Sequence, residues 1–501
     1  MKMRALSILS VASMAGVLGC GGKHGSTKST PATSDPAADK ALSSAGVMPE
    51  WIDRSVAPCD DFAAYACGGF IKTAVIPPDR SSWSAIAIVS QRAEQFLHDY
   101  LENAAAGKVA NDPNAQKLGD YYAACMDEGA IEKLGVTPLA DYRKLISSVT
   151  NAQTAAAAVI ALHRDGFSPF FGIGAGQDFA DATRVIANLD QAGIGLPDRD
   201  YYFGTDGSVP ATRTAYQQHM VRMFVLAGMS EAEAKTAGAD AFAIETALAK
   251  LQQDQVTRRD PSAVYNKIDR KGLEKNASGF PWAKYLSELG IPSVTDISVN
   301  STEYFTGWVK LLASEKPAAL QAYLWWNVLS DSANILAKPF VEENFAMAKL
   351  LSGAKELPPR WRRCVHRVDG DLGELLAQPW VAANFSPASK AAALDLSKSV
   401  MSAMDARLTT LEWMDDATRV AAKEKLAGMA LLVGYPDTWR AYDFAVSRAS
   451  YAENVKAATR HDIRRNLGKI GKPVDRFDWQ MTPPTVNAYY DPTLNEIALP
   501  G

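Results

Sequence analysis

From Ala85 to Leu432 the chain keeps returning to one pattern, in which apolar residues fall three or four positions apart. Such residues share a face only on an α-helix, and a helix with one apolar face must bury it against another element. The spacing predicts helices over Ala85–Ala106, Asn114–Glu132, Ala152–His163, Thr212–Ala227 and Glu231–Gln253. It predicts more over Ser301–Glu315, Pro317–Leu329, Phe340–Leu351, Asp371–Asn384, Pro387–Leu411 and Asp415–Leu432. The fold class is therefore mainly α, a large multi-helix lobe. Two runs break the pattern: Phe170–Gly174 and Thr183–Leu189 are extended in character and pair as a small β-hairpin. Gly172-Ile173-Gly174-Ala175-Gly176 overlaps the first run. It lacks the strand–loop–helix unit of a dinucleotide site, so it is a strand feature.

Composition narrows the classes further. At 501 residues the chain is long enough for two or three domains and a large core. The net charge is −4 and no Lys/Arg block interrupts it, which argues against nucleic acid as a partner. Lys2 and Arg4 precede the apolar stretch Ala5–Leu18, which is too short to span a bilayer as a helix. Val17-Leu18-Gly19-Cys20 follows and resembles a bacterial lipoprotein box, in which cleavage leaves Cys20 as an acylated N-terminus. A conventional signal peptide is the alternative. Residues 21–47 are rich in Ser, Thr, Pro, Ala, Lys and Gly, so they read as a disordered tether. The expectation is an exported lipoprotein on the periplasmic or cell-surface side, anchored to the outer membrane. Gly21, not Asp, after Cys20 resembles the outer-membrane-sorted pattern. Apart from Cys20 the cysteines are Cys59, Cys67, Cys125 and Cys364. In an oxidising compartment four cysteines allow three pairings, and the residues alone do not choose among them.

The two ends of the chain carry motifs. Near the start stands Pro58-Cys59-Asp60-Asp61-Phe62 with Cys67-Gly68-Gly69-Phe70 after it, which reads as a short helix with Asp60 as candidate N-cap. At the other end Val486 to Tyr490 is β-branched and aromatic, Asp491-Pro492 signals a turn, and Asn495 to Leu499 is again extended. That is a hairpin or a strand pair. A strand bearing Asn487 and Ala488 at a sheet edge could pair with an extended peptide. The Asn side chain offers donor and acceptor, and the small Ala admits a second backbone. An ordinary packed strand is the competing interpretation.

Asn487-Ala488-Tyr489-Tyr490 followed by Asn495-Glu496-Ile497, together with the Pro-Cys-Asp-Asp-Phe opening, resembles the neprilysin-like M13 zinc metallopeptidases. Pieces of resemblance run from about Trp51 to Gly501, including Gly195-Leu196-Pro197-Asp198 and Val433-Gly434-Tyr435-Pro436-Asp437. The resemblance implies a helical lobe over 48–475 facing a thermolysin-like catalytic lobe, of which 476–501 is the start, around a chamber that admits short peptides. It also implies that Asn487 and Ala488 hold the substrate main chain, and that Cys125 and Cys364 are bonded. Closing so long a loop stabilises by about 4–5 kcal/mol, less any strain. Cys59 and Cys67 match cysteines that bond to the catalytic part, so here they are expected free or joined to each other. The family's zinc ligands lie in a His-Glu-x-x-His and in a Glu-x-x-x-Asp that follows it, and no His-Glu-x-x-His occurs in this sequence.

Zinc on a helix needs two His at i and i+4 with Glu between them. His24, His98, His163, His219, His366 and His461 are all more than five residues apart. Each outside the tether is expected in a surface or capped position. His366 with Asp369 and Asp371 is the one conceivable assembly. No Gly-x-Ser-x-Gly elbow occurs. The expectation is therefore no catalytic residue and no bound metal in this chain, with zinc belonging to the complete family enzyme. The chain is expected to be the N-terminal part of a membrane-anchored zinc endopeptidase acting on oligopeptides, with a separate catalytic polypeptide as a further candidate partner. The alternative is a non-catalytic peptide-binding or scaffolding lipoprotein.

Overall fold

The structure is a computed structural model that describes residues 35–44 and 47–501. It divides into two compact units, up to Pro77 and from Pro78 to Gly501.

In the first unit, the expected tether contains a helix, Pro36–Ser44, with no buried residue. A second helix, Phe62–Thr73, is capped by Asp61, not Asp60: the Asp61 carboxylate accepts the Ala64 amide at 2.8 Å. Gly69 lets the turn at Pro49–Trp51 lie directly on that helix, since a Cβ there would come within 2.4 Å of the Glu50 carbonyl. Trp51 and Phe70 then meet with ring centroids 5.0 Å apart.

The second unit holds the predicted helical array. The helices Ala85–Ala105, Ala152–Arg164, Val209–Leu226, Glu231–Leu251, Thr302–Ser314, Pro317–Ser332, Lys338–Ser352 and Pro387–Thr409 stand close to their expected spans. Asn114–Glu132 is two helices, Ala115–Met126 and Glu128–Leu134. Asp127 separates them because its carboxylate caps the second helix through the Ala130 amide. Arg360–Asn384 begins earlier than expected and leaves helical geometry at Leu372.

The hairpin forms as predicted, with β1 (Phe171–Asp178) antiparallel to β2 (Asp181–Gln191). It grows into a four-stranded sheet that periodicity did not reveal. The extra strands are β3 (Asn266–Asp269) and β4 (Asp296–Val299), and the order is β1-β2-β4-β3. The large core gathers around this sheet. Phe171 is fully buried among Trp282, Tyr285, Phe305 and Trp308, in edge-on and stacked contacts with centroids 4.9–5.6 Å apart. A second core lies between Ala85–Ala105, Ala115–Met126, Arg360–Asn384 and Tyr451–Leu467. The Cys125–Cys364 disulfide sits inside it, as the family resemblance implied.

A carboxyl is buried in the large core. Glu245, 1% exposed, accepts hydrogen bonds from Tyr202 (2.7 Å), Tyr216 (3.0 Å) and the Trp326 indole (3.0 Å). Burial pushes its pKa up to about 7, while the Tyr202, Tyr216 and Trp326 donors pull the other way.

The last departure is at the C-terminus. The helix expected over Asp415–Leu432 stops at Ala427, and Ala430–Gly434 becomes a strand, β5. Its partner is β7 (Glu496–Pro500), which pairs with it in parallel, and β6 (Tyr489–Asp491) pairs antiparallel with β7. The sheet order is β5-β7-β6. Leu432, Trp479 and Ala498 form its small core. The terminal sheet thus has three strands where one or two were expected, and its first strand arises in the segment read as purely helical.

Candidate functional site

The terminal hairpin is locally determined. Asp491 ends β6 and accepts the Thr493 and Leu494 amides at 2.9 and 3.2 Å, which folds the turn. Asn495 takes φ +48°, a left-handed value that Asn tolerates, and its carbonyl accepts the Ala430 amide at 3.0 Å. Upstream, Thr482 reaches Asp369 on the kinked helix at 3.3 Å. Gly373 makes room there, because a Cβ would stand 2.4 Å from the Thr482 methyl. Burial raises the pKa of Asp369 to about 6.

Between that anchor and β6 lie Asn487 and Ala488, both exposed and outside the ladder. The expected strand over Val486–Tyr490 therefore begins only at Tyr489. The shortening has a local cause: the Asn487 amide bonds back to the Thr485 carbonyl at 3.0 Å, and the Asn487 side-chain oxygen accepts the Ala488 amide at 2.8 Å. These bonds close the backbone on itself. The Asn487 amide NH2 is left for another partner. Because β6 pairs only with β7, its far side is a sheet edge, with backbone groups able to receive an added strand.

The histidines do not assemble. His163, His219 and His461 are buried, against the surface or capped positions expected for them. They lie on the buried faces of their helices and find one or two partners there. His163 bonds the Tyr285 hydroxyl (2.8 Å) and the Pro169 carbonyl (3.1 Å), and burial lowers its pKa to about 4. His219 meets Glu343 at 2.8 Å and His461 meets Asp443 at 2.8 Å. His366 faces Glu94 at 3.1 Å, while Asp371 serves Tyr121 and Arg367, so the trio with Asp369 does not form. Among the described residues no three His, Cys, Asp or Glu side chains converge on one point. A catalytic zinc takes three protein ligands and leaves the fourth position to water, so the described donor set does not fit one.

Cys67 is a free, exposed thiol and is not joined to Cys59, and Cys59 is not free, so neither expected arrangement describes the pair. Cys20 and His24 lie outside the described residues. Among the described residues no helix is long and apolar enough to cross a membrane.

Known proteins place this architecture. Residues 58–436 match peptidase family M13 over its N-terminal part. Endothelin-converting enzyme 1 of Rattus norvegicus is 30% identical over 472 residues, which cover 90% of this chain and 61% of that protein. The same enzyme of Homo sapiens is 30% identical over 90% of this chain and 60% of its own length. This chain thus spans about three fifths of the curated relatives it matches. Among solved structures, zinc metalloprotease Zmp1 of Mycobacterium tuberculosis with an inhibitor has a TM-score of 0.85 at 33% identity, over 91% of this chain and 69% of that one. PepO of Lactobacillus rhamnosis shares the fold, with a TM-score of 0.77 at 22% identity over 89% of this chain and 71% of that one. With a family match over three quarters of its length and the fold of M13 zinc metalloproteases, this chain belongs to peptidase family M13.

Proposed function

We propose that this chain forms the peptide-holding wall of an M13-type zinc endopeptidase that acts on oligopeptides. The metal ligands come from polypeptide other than its described residues. A bound zinc would supply an activated water for peptide hydrolysis. The part played here is binding and orientation. An extended peptide adds to the open edge of β6, Asn487 gives its free amide N–H groups to a peptide carbonyl, and Ala488 lets the two backbones approach. The observation that carries this is the position of Asn487 and Ala488, exposed at the head of an edge strand whose other side is already paired. We further propose that acyl chains on Cys20 anchor the protein to the outer membrane.

The test is fluorescence anisotropy with labelled hexapeptides. Asn487→Ala removes one hydrogen bond of about 1 kcal/mol, so affinity falls about fivefold. Ala488→Leu puts a branched side chain in the ligand's path and costs more. Both positions are exposed, and the one bond lost within the chain, from the Ala488 amide to the Asn487 side chain, is solvent-accessible, so thermal stability changes little. Full peptide affinity in Ala488→Leu would refute the wall.

A further inference from the structure

Past Asp491, where β6 ends, the surface opens into a cleft of about 840 Å³. That lies within the span of ligand pockets, roughly 300–1,000 Å³. Ala175–Gln177 of β1 form one side, the end of the helix Tyr451–Leu467 and the loop after it form another, and the turn at Thr493 and Leu494 a third. An extended peptide lying along β6 runs off its Asp491 end into this space.

Four cations line the cleft, Arg464, Arg465, Lys469 and Lys472, against Asp475, Asp478 and Asp491. Asp478 is ion-paired, whereas Asp491 and Asp475 are held by neutral donors and keep their charge, which leaves the lining one cation in excess. Asp478 pairs with both Arg465 and Lys469. Asp491 accepts the Thr493 hydroxyl at 2.6 Å and the Gln480 amide at 3.1 Å. Asp475 accepts the Phe477 amide at 2.9 Å. Asp443 feels the Arg464 charge, but its hydrogen bond goes to His461. Arg464 and Lys472 remain, both exposed, and neither makes a salt bridge among the described residues. A helix C-terminus favours cations through its dipole, which accounts for Arg464 and Arg465. It does not account for Lys472, which lies beyond the helix in the loop.

We propose that this cleft selects peptides with acidic side chains, whose carboxylates pair with Arg464 and Lys472. The proposal rests on β6 being a peptide-binding edge. In the full chain, two labelled hexapeptides that differ only by Glu for Gln at two positions separate the alternatives. The Glu peptide is expected to bind about five- to tenfold tighter, the effect of two partly exposed pairs. The advantage should shrink at roughly 0.5 M salt and invert in the double variant R464E/K472E. Circular dichroism verifies the variant's fold, and the salt series on the unaltered chain tests the same point without any substitution. Equal affinity for both peptides, with Asn487→Ala still weakening both, overturns the charge selection and leaves the edge-strand reading standing. No binding of either peptide overturns both.

Discussion

Removing the Cys125–Cys364 bond should cost this protein several kcal/mol, mostly through the unfolded chain. The bond joins residues 239 apart. Closing a loop of that length removes about 18 cal/mol/K from the denatured ensemble, a ceiling of about 5.5 kcal/mol at 25 °C. The native contacts around it do not depend on the sulfur link. Arg360 donates to the Cys125 carbonyl at 2.8 Å, Tyr121 bonds Asp371 across the same two helices, and Cys125 and Cys364 are 3% and 1% exposed. Cys125→Ala with Cys364→Ala therefore keeps the fold and loosens only the unfolded state, apart from a small cavity. Urea unfolding followed by tryptophan fluorescence, in a Cys67→Ser background to prevent thiol exchange, measures the loss. Stability should drop by about 3–5 kcal/mol, a large share of the 5–15 kcal/mol typical of a folded domain. The m-value should rise, because the denatured chain exposes more surface once the loop is open. A drop under about 1 kcal/mol with an unchanged m-value would show that the loop contributes no chain entropy, contrary to the relation used here.

Glu245 sets a pH dependence. Its folded pKa of about 7 exceeds the ordinary 4.5, so its contribution is fully present below about 4.5, declines through the window between and is gone above about 7. The span is about 3 kcal/mol. Urea midpoints at pH 5 and pH 8 should differ accordingly, and Glu245→Gln should flatten the difference; an equally steep profile in the variant places the titration elsewhere. For the proposed anchor, metabolic labelling with a fatty acid should mark the unaltered protein and not Cys20→Ala. Label on the variant would remove Cys20 as the acceptor.

What the residues disclosed follows how local each determinant is. The helices were readable because a single apolar stripe decides them, as in Thr302–Ser314 with Tyr304, Phe305, Trp308, Val309 and Leu312 buried. Tyr451–Leu467 was missed because its buried face mixes Val455 and Ala458 with Asn454 and His461, which break the stripe. Both polar residues reach the irregular loop before the helix: Asn454 bonds Ser447 at 2.7 Å, and His461 meets Asp443 through Nδ1. Ala430–Gly434 resembles the end of a helix until β7 is present to bond it. The histidines misled for the opposite reason, since an isolated His looks like a surface residue unless the neighbouring apolar face is seen to close over it. At the candidate site, the motif located Asn487 and Ala488, but residue pattern did not show that their own hydrogen bonds hold them out of the ladder. The cleft was invisible altogether, because its walls come from three separate stretches of chain.

The sheet also changes what the strand proposed to hold peptide rests on. β6 leans on β7, and β7 on β5, which follows directly from the helix Asp416–Ala427. Lys425 of that helix lies 5.7 Å over the ring of Tyr490 in β6, and Asn495 donates to the Lys425 carbonyl at 2.8 Å. A two-stranded ribbon alone would be marginal. With β5 as a third strand and the helix behind it, the edge is held in place before a ligand arrives, so less ordering entropy is lost on binding. A division at residue 476 would strip β5 of β7, its one strand partner among the described residues, and split Leu432 from Trp479 and Ala498. The helix Asp416–Ala427 and the terminal sheet therefore pack as one element.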